Sequence, residues 1–156
     1  MRMTIVVGAL LIAGCATPQR QSATLQTITY ETAPCYGVCP VYRVTVGSDG
    51  AGIFTGIRHT AIGGDRKFSV TPRQFTAFAG TLSPYRPQGK RDITPGRPEC
   101  NDTVTDMPSV NVRWEDVRTD ELSYYYGCRP ASGPAMADAL TTAPSLLPIA
   151  DFIGKR

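Results

Sequence analysis

The chain has 156 residues, 42% of them hydrophobic and 19% charged, with 16 basic and 13 acidic side chains and a net charge of +3. That length holds one ordinary domain with a single core. The charge is too near balance to argue for nucleic acid or an acidic substrate, and no apolar run is long enough to span a bilayer.

Met1-Arg2-Met3-Thr4 is a short, positively charged start, and an apolar run from Ile5 to Ile12 follows it, as in a signal peptide. Ala13 and Gly14 are small enough for a peptidase groove, and Cys15 comes next. The run Ile12-Ala13-Gly14-Cys15 resembles the lipobox of bacterial lipoproteins. That resemblance implies a signal peptide over residues 1–14 and a diacylglyceryl thioether on Cys15. It also implies cleavage before Cys15 and a third acyl chain, such as palmitate, on the new amino group. Two or more acyl chains anchor stably where one binds only marginally. The alternative is an ordinary secreted protein with a chance cysteine, but a free thiol at a signal cleavage site is otherwise unusual. Ala16 stands where Asp favours inner-membrane retention in enteric-type lipoproteins, so it points to the outer membrane. The expected address is the cell envelope, lipid-anchored and facing the periplasm.

Without residues 1–14 the mature chain has 142 residues, and without Arg2 it carries 16 − 1 = 15 basic against 13 acidic side chains. Lipidated Cys15 and a flexible tether are expected over residues 15–24, and one domain over 25–154. The tether composition is polar as far as Gln26 and includes Pro18, with a reach of at most about 35 Å. A first strand is expected from about Leu25 to Glu31.

Cys35, Cys39, Cys100 and Cys128 make an even count in an exported chain, which reads as two disulfides with three possible connectivities. The favoured pairing is Cys35–Cys39 with Cys100–Cys128, because the first pair is local and Gly37 permits a tight loop. Val41 to Val46 and Ile53 to Ile57 are β-rich, and Asp49-Gly50 between them favours a two-residue hairpin turn. The register that follows sets Val46 opposite Ile53 and Tyr42 opposite Ile57. It buries Tyr42, Val44, Val46, Ile53 and Ile57, and leaves a glycine-rich outer face with Phe54.

Thr71-Pro72-Arg73-Gln74 is a helix start, with Thr71 as cap and Gln74 completing a capping box. Phe75, Phe78, Ala79 and Leu82 then form one apolar stripe, and Pro84 ends the helix. Residues 84–109 hold five prolines and read as a long irregular segment. Arg86, Lys90, Arg91 and Arg97 make it a candidate contact loop for anionic lipid or glycan, against the plainer reading of a solvated loop stapled at Cys100. Val110, Val112 and Trp114, then Leu122, Tyr124 and Tyr126, alternate as a second hairpin. A short helix is expected over Pro134 to Ala143, and a last one capped by Ser145. The fold class is therefore α+β: an antiparallel sheet of about five strands, one main helix over about 72–82, and short C-terminal helices.

The segment Cys35-Tyr36-Gly37-Val38-Cys39-Pro40-Val41-Tyr42 resembles the signature of DUF6438, a bacterial domain family without an assigned activity. The resemblance extends over the hairpin, the Phe75 helix and Asp106-Met107-Pro108, from about Leu25 to Phe152. It implies a fold and leaves function open.

No catalytic constellation or cofactor motif accompanies these residues. Redox chemistry at Cys35 and Cys39 is the sharpest enzymatic alternative. Catalytic dithiols usually have two residues between the cysteines and a helix start to activate a thiolate, whereas here there are three and Pro40 leads into a strand. A four-cysteine zinc site is disfavoured by the distance between Cys100 and Cys128. His59 is the one histidine, and no Gly-x-Ser-x-Gly elbow accompanies it. Asp102 and Asp106, or Asp116, Asp120 and Glu121, match no calcium loop and read as loop and hairpin-tip polarity. The expectation is a binding or structural module of the envelope, with no enzyme activity, cofactor, metal or nucleic-acid partner. It meets the membrane through its lipid and has an envelope protein or glycan as partner.

Overall fold

A computed structural model describes residues 24–100, 102–130 and 133–154. The expected signal peptide, Cys15 and nearly all of the expected tether lie outside the described residues. Seven strands form one sheet: β1 (Thr27–Thr32), β2 (Val41–Gly47), β3 (Ala51–Arg58), β4 (Gly64–Ser69), β5 (Lys90–Ile93), β6 (Ser109–Glu115) and β7 (Thr119–Tyr125). Their order is β4-β3-β2-β1-β6-β7-β5. Every pairing is antiparallel except β5 with β7. Among the described residues three α-helices accompany the sheet, α1 (Pro72–Leu82), α2 (Pro134–Thr142) and α3 (Ala150–Ile153). The architecture is mixed α+β, with two strands beyond the five expected.

The two additional strands are the edges. β4 is Gly-Asp-Arg-Lys-Phe-Ser, almost wholly exposed, and its charges hide the alternation by which a strand is recognised. β5 lies inside the proline-rich segment and is only four residues long. It pairs in parallel with β7, which no local turn signal announces.

One face of the sheet is apolar. Across the strands, Val46, Ile28 and Trp114 share a row, as do Phe54, Val44, Tyr30, Val112 and Leu122. All eight are buried. The opposite face carries polar cross-strand pairs: Glu31 with Arg43 at 2.7 Å, Thr55 with Asp65 at 2.7 Å, and Arg113 with Glu121. This is the pattern of a sheet covered on one side only.

The first hairpin corrects the expected register. Val46 pairs with Gly52 and Val44 with Phe54, one residue away from the two-residue-turn alignment. The cause is the turn. The Gly50 N–H donates to the Gly47 carbonyl at 3.0 Å, and Gly50 takes φ +89°, so the loop has three residues and ends in a left-handed glycine. A slip of one residue exchanges the faces of the second strand. Phe54 is buried, while Ile53 and Ile57 are exposed. The glycines move with it. A Cβ on Gly52 would sit 2.6 Å from the Phe68 ring, and one on Gly56 would sit 1.8 Å from the Ile62 carbonyl oxygen. There is accordingly no glycine-rich outer face on this hairpin.

α1 starts as its sequence dictates. The Gln74 N–H donates to Thr71 Oγ1 at 3.2 Å, and the Thr71 N–H donates to Gln74 Oε1 at 2.9 Å. Phe75, Phe78 and Leu82 are buried in the core beneath the helix. α2 buries Met136 and Leu140 on the same side. Ser145 does not cap a helix; it lies in a 3-10 turn and donates to the Thr142 carbonyl at 2.7 Å, and α3 begins later with Ile149 as its capping position.

Candidate functional site

The carboxyl end of β1 and the amino ends of β2 and β6 meet at one end of the sheet. A cleft of about 810 Å³ opens there. Cys35-Tyr36-Gly37-Val38-Cys39-Pro40 forms one wall, and Met107, Pro108 and Ser109 form another. Tyr30 and Tyr42, both buried, reach it from the core, and Thr32, His59, Tyr126, Thr141, Ile153 and Gly154 also line it. The eight-residue segment read from sequence as a family signature thus supplies a wall and part of the floor of a single cleft.

Local structure explains the wall. Thr32 Oγ1 donates to the Pro40 carbonyl at 2.9 Å and accepts from the Tyr42 N–H at 3.0 Å, which pins the two ends of the connection between β1 and β2. The Cys35 and Cys39 sulfurs are 1.91 Å apart, and Gly37 at φ +130° closes the small ring between them. Ring closure drives the intervening side chains outward: Tyr36 is 87% exposed and Val38 79%. The Tyr36 N–H donates to the Asp106 carbonyl at 3.3 Å, joining this wall to the Met107 wall. Asp106 itself stands at φ +68°. On the floor, Tyr30 Oη donates to the Leu140 carbonyl at 2.9 Å. Its ring stacks on Tyr42 at 6.3 Å, and Tyr42 on Phe54 at 5.4 Å.

The chemistry of the lining is narrow. Among the described residues it holds four tyrosines, two prolines and a methionine, and no Asp, Glu, Lys, Arg, Asn or Gln. Among the described residues His59 is its one ionisable group besides the tyrosines, and the same lining holds Ser109 but no carboxylate. In the sequence His59 is a lone histidine without a catalytic motif, and Tyr30, Tyr42 and Tyr126 are strand positions. Only the fold places them around the cysteine motif.

The second cysteine pair is different. The Cys100 and Cys128 sulfurs are 1.93 Å apart, with the two residues only 3% and 4% exposed. The cysteine pairs at disulfide distance are the two favoured from sequence.

The basic segment is not a free loop. Arg86 donates through Nε to Asp120 at 2.5 Å and through Nη1 to Asp116 at 2.7 Å, with little of its side chain exposed. Arg91 pairs with Glu99 at 2.5 Å and Arg97 with Asp92 at 3.1 Å, while Lys90 reaches Glu121 only at 4.0 Å. Asp116 and Asp120 are therefore structural anions and not hairpin-tip polarity. Asp120 is 1% exposed and accepts from Arg86, from Arg118 Nε at 2.7 Å and from the Gly89 N–H at 2.7 Å. Burial pushes its carboxyl up, but the Gly89 amide and the two guanidiniums outweigh burial and hold it at about 2. The Arg86 guanidinium likewise holds Asp116 well below the ordinary carboxylate range. Among the described residues no three His, Cys, Asp or Glu side chains are grouped as metal ligands, and no helix is long and apolar enough to cross a membrane.

Comparison with curated proteins gives no match, and comparison with solved structures gives none either. Residues 26–144 match the family described as Domain of unknown function (DUF6438), and that match takes in the cysteine wall, the hairpin, α1 and α2, so the chain belongs to this family.

Proposed function

We propose that the chain is a lipid-anchored module of the bacterial cell envelope, held by Cys15 in the outer membrane. Its domain faces the periplasm and binds an uncharged partner segment in the cleft beside Cys35–Cys39. The observation that carries this reading is that the signature segment from Cys35 to Tyr42 lines one tyrosine-rich cleft with no Asp, Glu, Lys or Arg among its described lining residues. A concave, mostly apolar site with a few hydroxyls is the ordinary form of a binding pocket. Planar amide, carboxylate and guanidinium side chains, which commonly hold sugar hydroxyls, are absent from its described lining. An apolar or aromatic segment of a protein partner fits it better than a glycan.

Topology supports the address. The tether joins at Gln26, whose N–H donates to Ser48 Oγ at 3.1 Å and whose side chain donates to Asp116 at 3.3 Å. Those turns lie at the opposite end of β1 from the cleft. A chain anchored through residues 15–24 presents the cleft at the end of the sheet away from its attachment. The cleft is also a better candidate than the basic segment, because Arg86, Arg91 and Arg97 are each held by a carboxylate.

Two measurements test the reading. A palmitate analogue fed to cells should label the wild type and not Cys15→Ser; equal labelling of both removes the anchor. A photo-crosslinking residue in place of Val38 should give a defined adduct in cells, whereas one in place of Val117, on the opposite hairpin tip, should not. Adducts at both positions or at neither remove the cleft.

One observation favours a second reading, thiol–disulfide exchange with a partner. The Cys35–Cys39 pair is half-buried in the cleft wall, within reach of another protein's thiolate, whereas Cys100–Cys128 is in the core. Against it stands the absence of a helix start at either sulfur to lower a thiolate pKa. A Cys39→Ser chain that accumulates a mixed disulfide in cells establishes the exchange reading, and one that accumulates none dismisses it.

A further inference from the structure

We infer that the Cys35–Cys39 disulfide is a reducible latch on the cleft, and that its redox state sets whether the cleft can hold a ligand. This rests on the reading of the cleft as a binding site.

Three observations converge. The two disulfides sit in opposite environments, one half-buried in a cleft wall and the other buried in the core. Access of a thiolate to sulfur is a prerequisite of exchange, so the wall pair is the one a reductant meets first. The wall is also held by little else. Among the described residues, the N–H of Tyr36 to Asp106 at 3.3 Å is the one hydrogen bond that the five residues Cys35 to Cys39 make to the rest of the fold. Finally, the parts that flank the wall are independent of it. Thr32 fixes Pro40 and Tyr42 on one side, and the Ala33 N–H donates to the Ser109 carbonyl at 2.8 Å on the other. Opening the ring therefore releases Tyr36, Gly37 and Val38 without unpairing β1 or β2.

The step is ordinary thiol–disulfide exchange with a dithiol reductant, either a small molecule or a reductase carrying a cysteine pair. One reductant thiolate attacks Cys35 or Cys39 sulfur, the S–S bond breaks, and a mixed disulfide forms. The second reductant thiolate displaces it. Two electrons and two protons pass to the protein as two cysteine thiols, and the reductant leaves as its disulfide. In the oxidised state the wall is preorganised and the cleft keeps its shape. In the reduced state the wall must be ordered again at each binding event, which weakens binding.

The test uses the full lipidated chain in detergent, titrated with dithiothreitol. Alkylation and peptide mass spectrometry report each cysteine pair. A benzophenone photoprobe, uncharged and reactive toward methionine C–H bonds, reports the cleft through Met107. Cys35–Cys39 should open at a dithiothreitol concentration about tenfold or more below that for Cys100–Cys128. Labelling of the Met107 peptide should fall about fivefold over the first transition only. The double variant Cys35→Ser with Cys39→Ser should show the same low labelling while keeping the emission of buried Trp114. Simultaneous opening of both pairs overturns the latch, and so does equal labelling in the two states, which leaves the binding reading standing. No labelling of the oxidised chain overturns the latch and the binding reading together. Loss of the Trp114 signal in the double variant also overturns the latch, since the pair would then hold the fold and not the wall.

Discussion

At the scale of single residues the decisive group is Arg86. From sequence it is one of four cations in a proline-rich stretch, and nothing local distinguishes it from Lys90. The fold joins it to Asp120, which shares a row of the covered face with Trp114, Ile28 and Val46. A carboxylate there is tolerated only because three donors satisfy it. Arg86→Met removes one of them and should cost about 3 kcal/mol, because the anion left behind stays buried; equilibrium urea unfolding measures it. Acid has the same target. Asp120 and Asp116 are both held below their ordinary 3.8 in the fold, so the unfolded chain takes up protons first as pH falls. The stability they contribute is complete above about pH 5 and declines as pH falls through about 2. Asp120→Asn should flatten that limb of the stability–pH curve while lowering stability at neutral pH. An unchanged acid limb would place the sensitivity elsewhere. The signal that sequence reading missed is the near-alternation across β7, Asp120, Leu122, Tyr124, in which an acid occupies a core position.

At the scale of elements, legibility followed the locality of the cause. The start of α1 was readable to the residue because a capping box is written in four consecutive positions. The second hairpin was readable because Val110, Val112 and Trp114 alternate over a full strand. β4 and β5 were not, since an exposed edge has no apolar alternation and a parallel pairing is made by distant chain. The first hairpin was half legible. Its strands were correct and its register was off by one, because Asp49-Gly50 serves two turn types and only the packing of Phe54 against Tyr42 and Phe152 separates them. That difference has a measurable counterpart. Gly50→Ala forces a side chain into φ +89° and sets its Cβ 2.9 Å from the Val70 carbonyl oxygen, so about 1–2 kcal/mol should be lost. Thr71→Ala removes one cap and should cost about 1 kcal/mol. Both belong to urea unfolding curves with unaltered slope; a changed slope for Gly50→Ala would mean that the hairpin has re-registered.

At the scale of the whole molecule the two disulfides divide the work. A bond stabilises chiefly by shortening the excursions of the unfolded chain, and more so for a longer loop. Cys100–Cys128 closes a separation of 28 residues, and that loop contains β6 and β7 whole. It also draws in the segment after β5, where the Cys128 sulfur lies 3.4 Å from the Ile93 carbonyl oxygen and Thr103 bridges to Cys128. The parallel edge has four residues and no turn of its own, so this covalent link adds to its ladder in keeping β5 beside β7. Cys35–Cys39 closes a separation of 4 and ties nothing distant. The double replacement of Cys100 and Cys128 by serine should therefore lower stability by about 3.5 kcal/mol, against about 2 kcal/mol at most for the same change at Cys35 and Cys39. The single tryptophan, Trp114, sits in the core on β6, beside the central strand β1, and reports unfolding directly. The loss should also differ in place. Amide exchange at Lys90–Ile93 should rise to the fully open rate without the core pair, and should be unmoved without the wall pair. If the wall pair proved the costlier to remove, or if β5 exchanged alike in both variants, Cys100–Cys128 would not be the staple of this edge. Its burial would then reflect cysteine packing as a small apolar side chain.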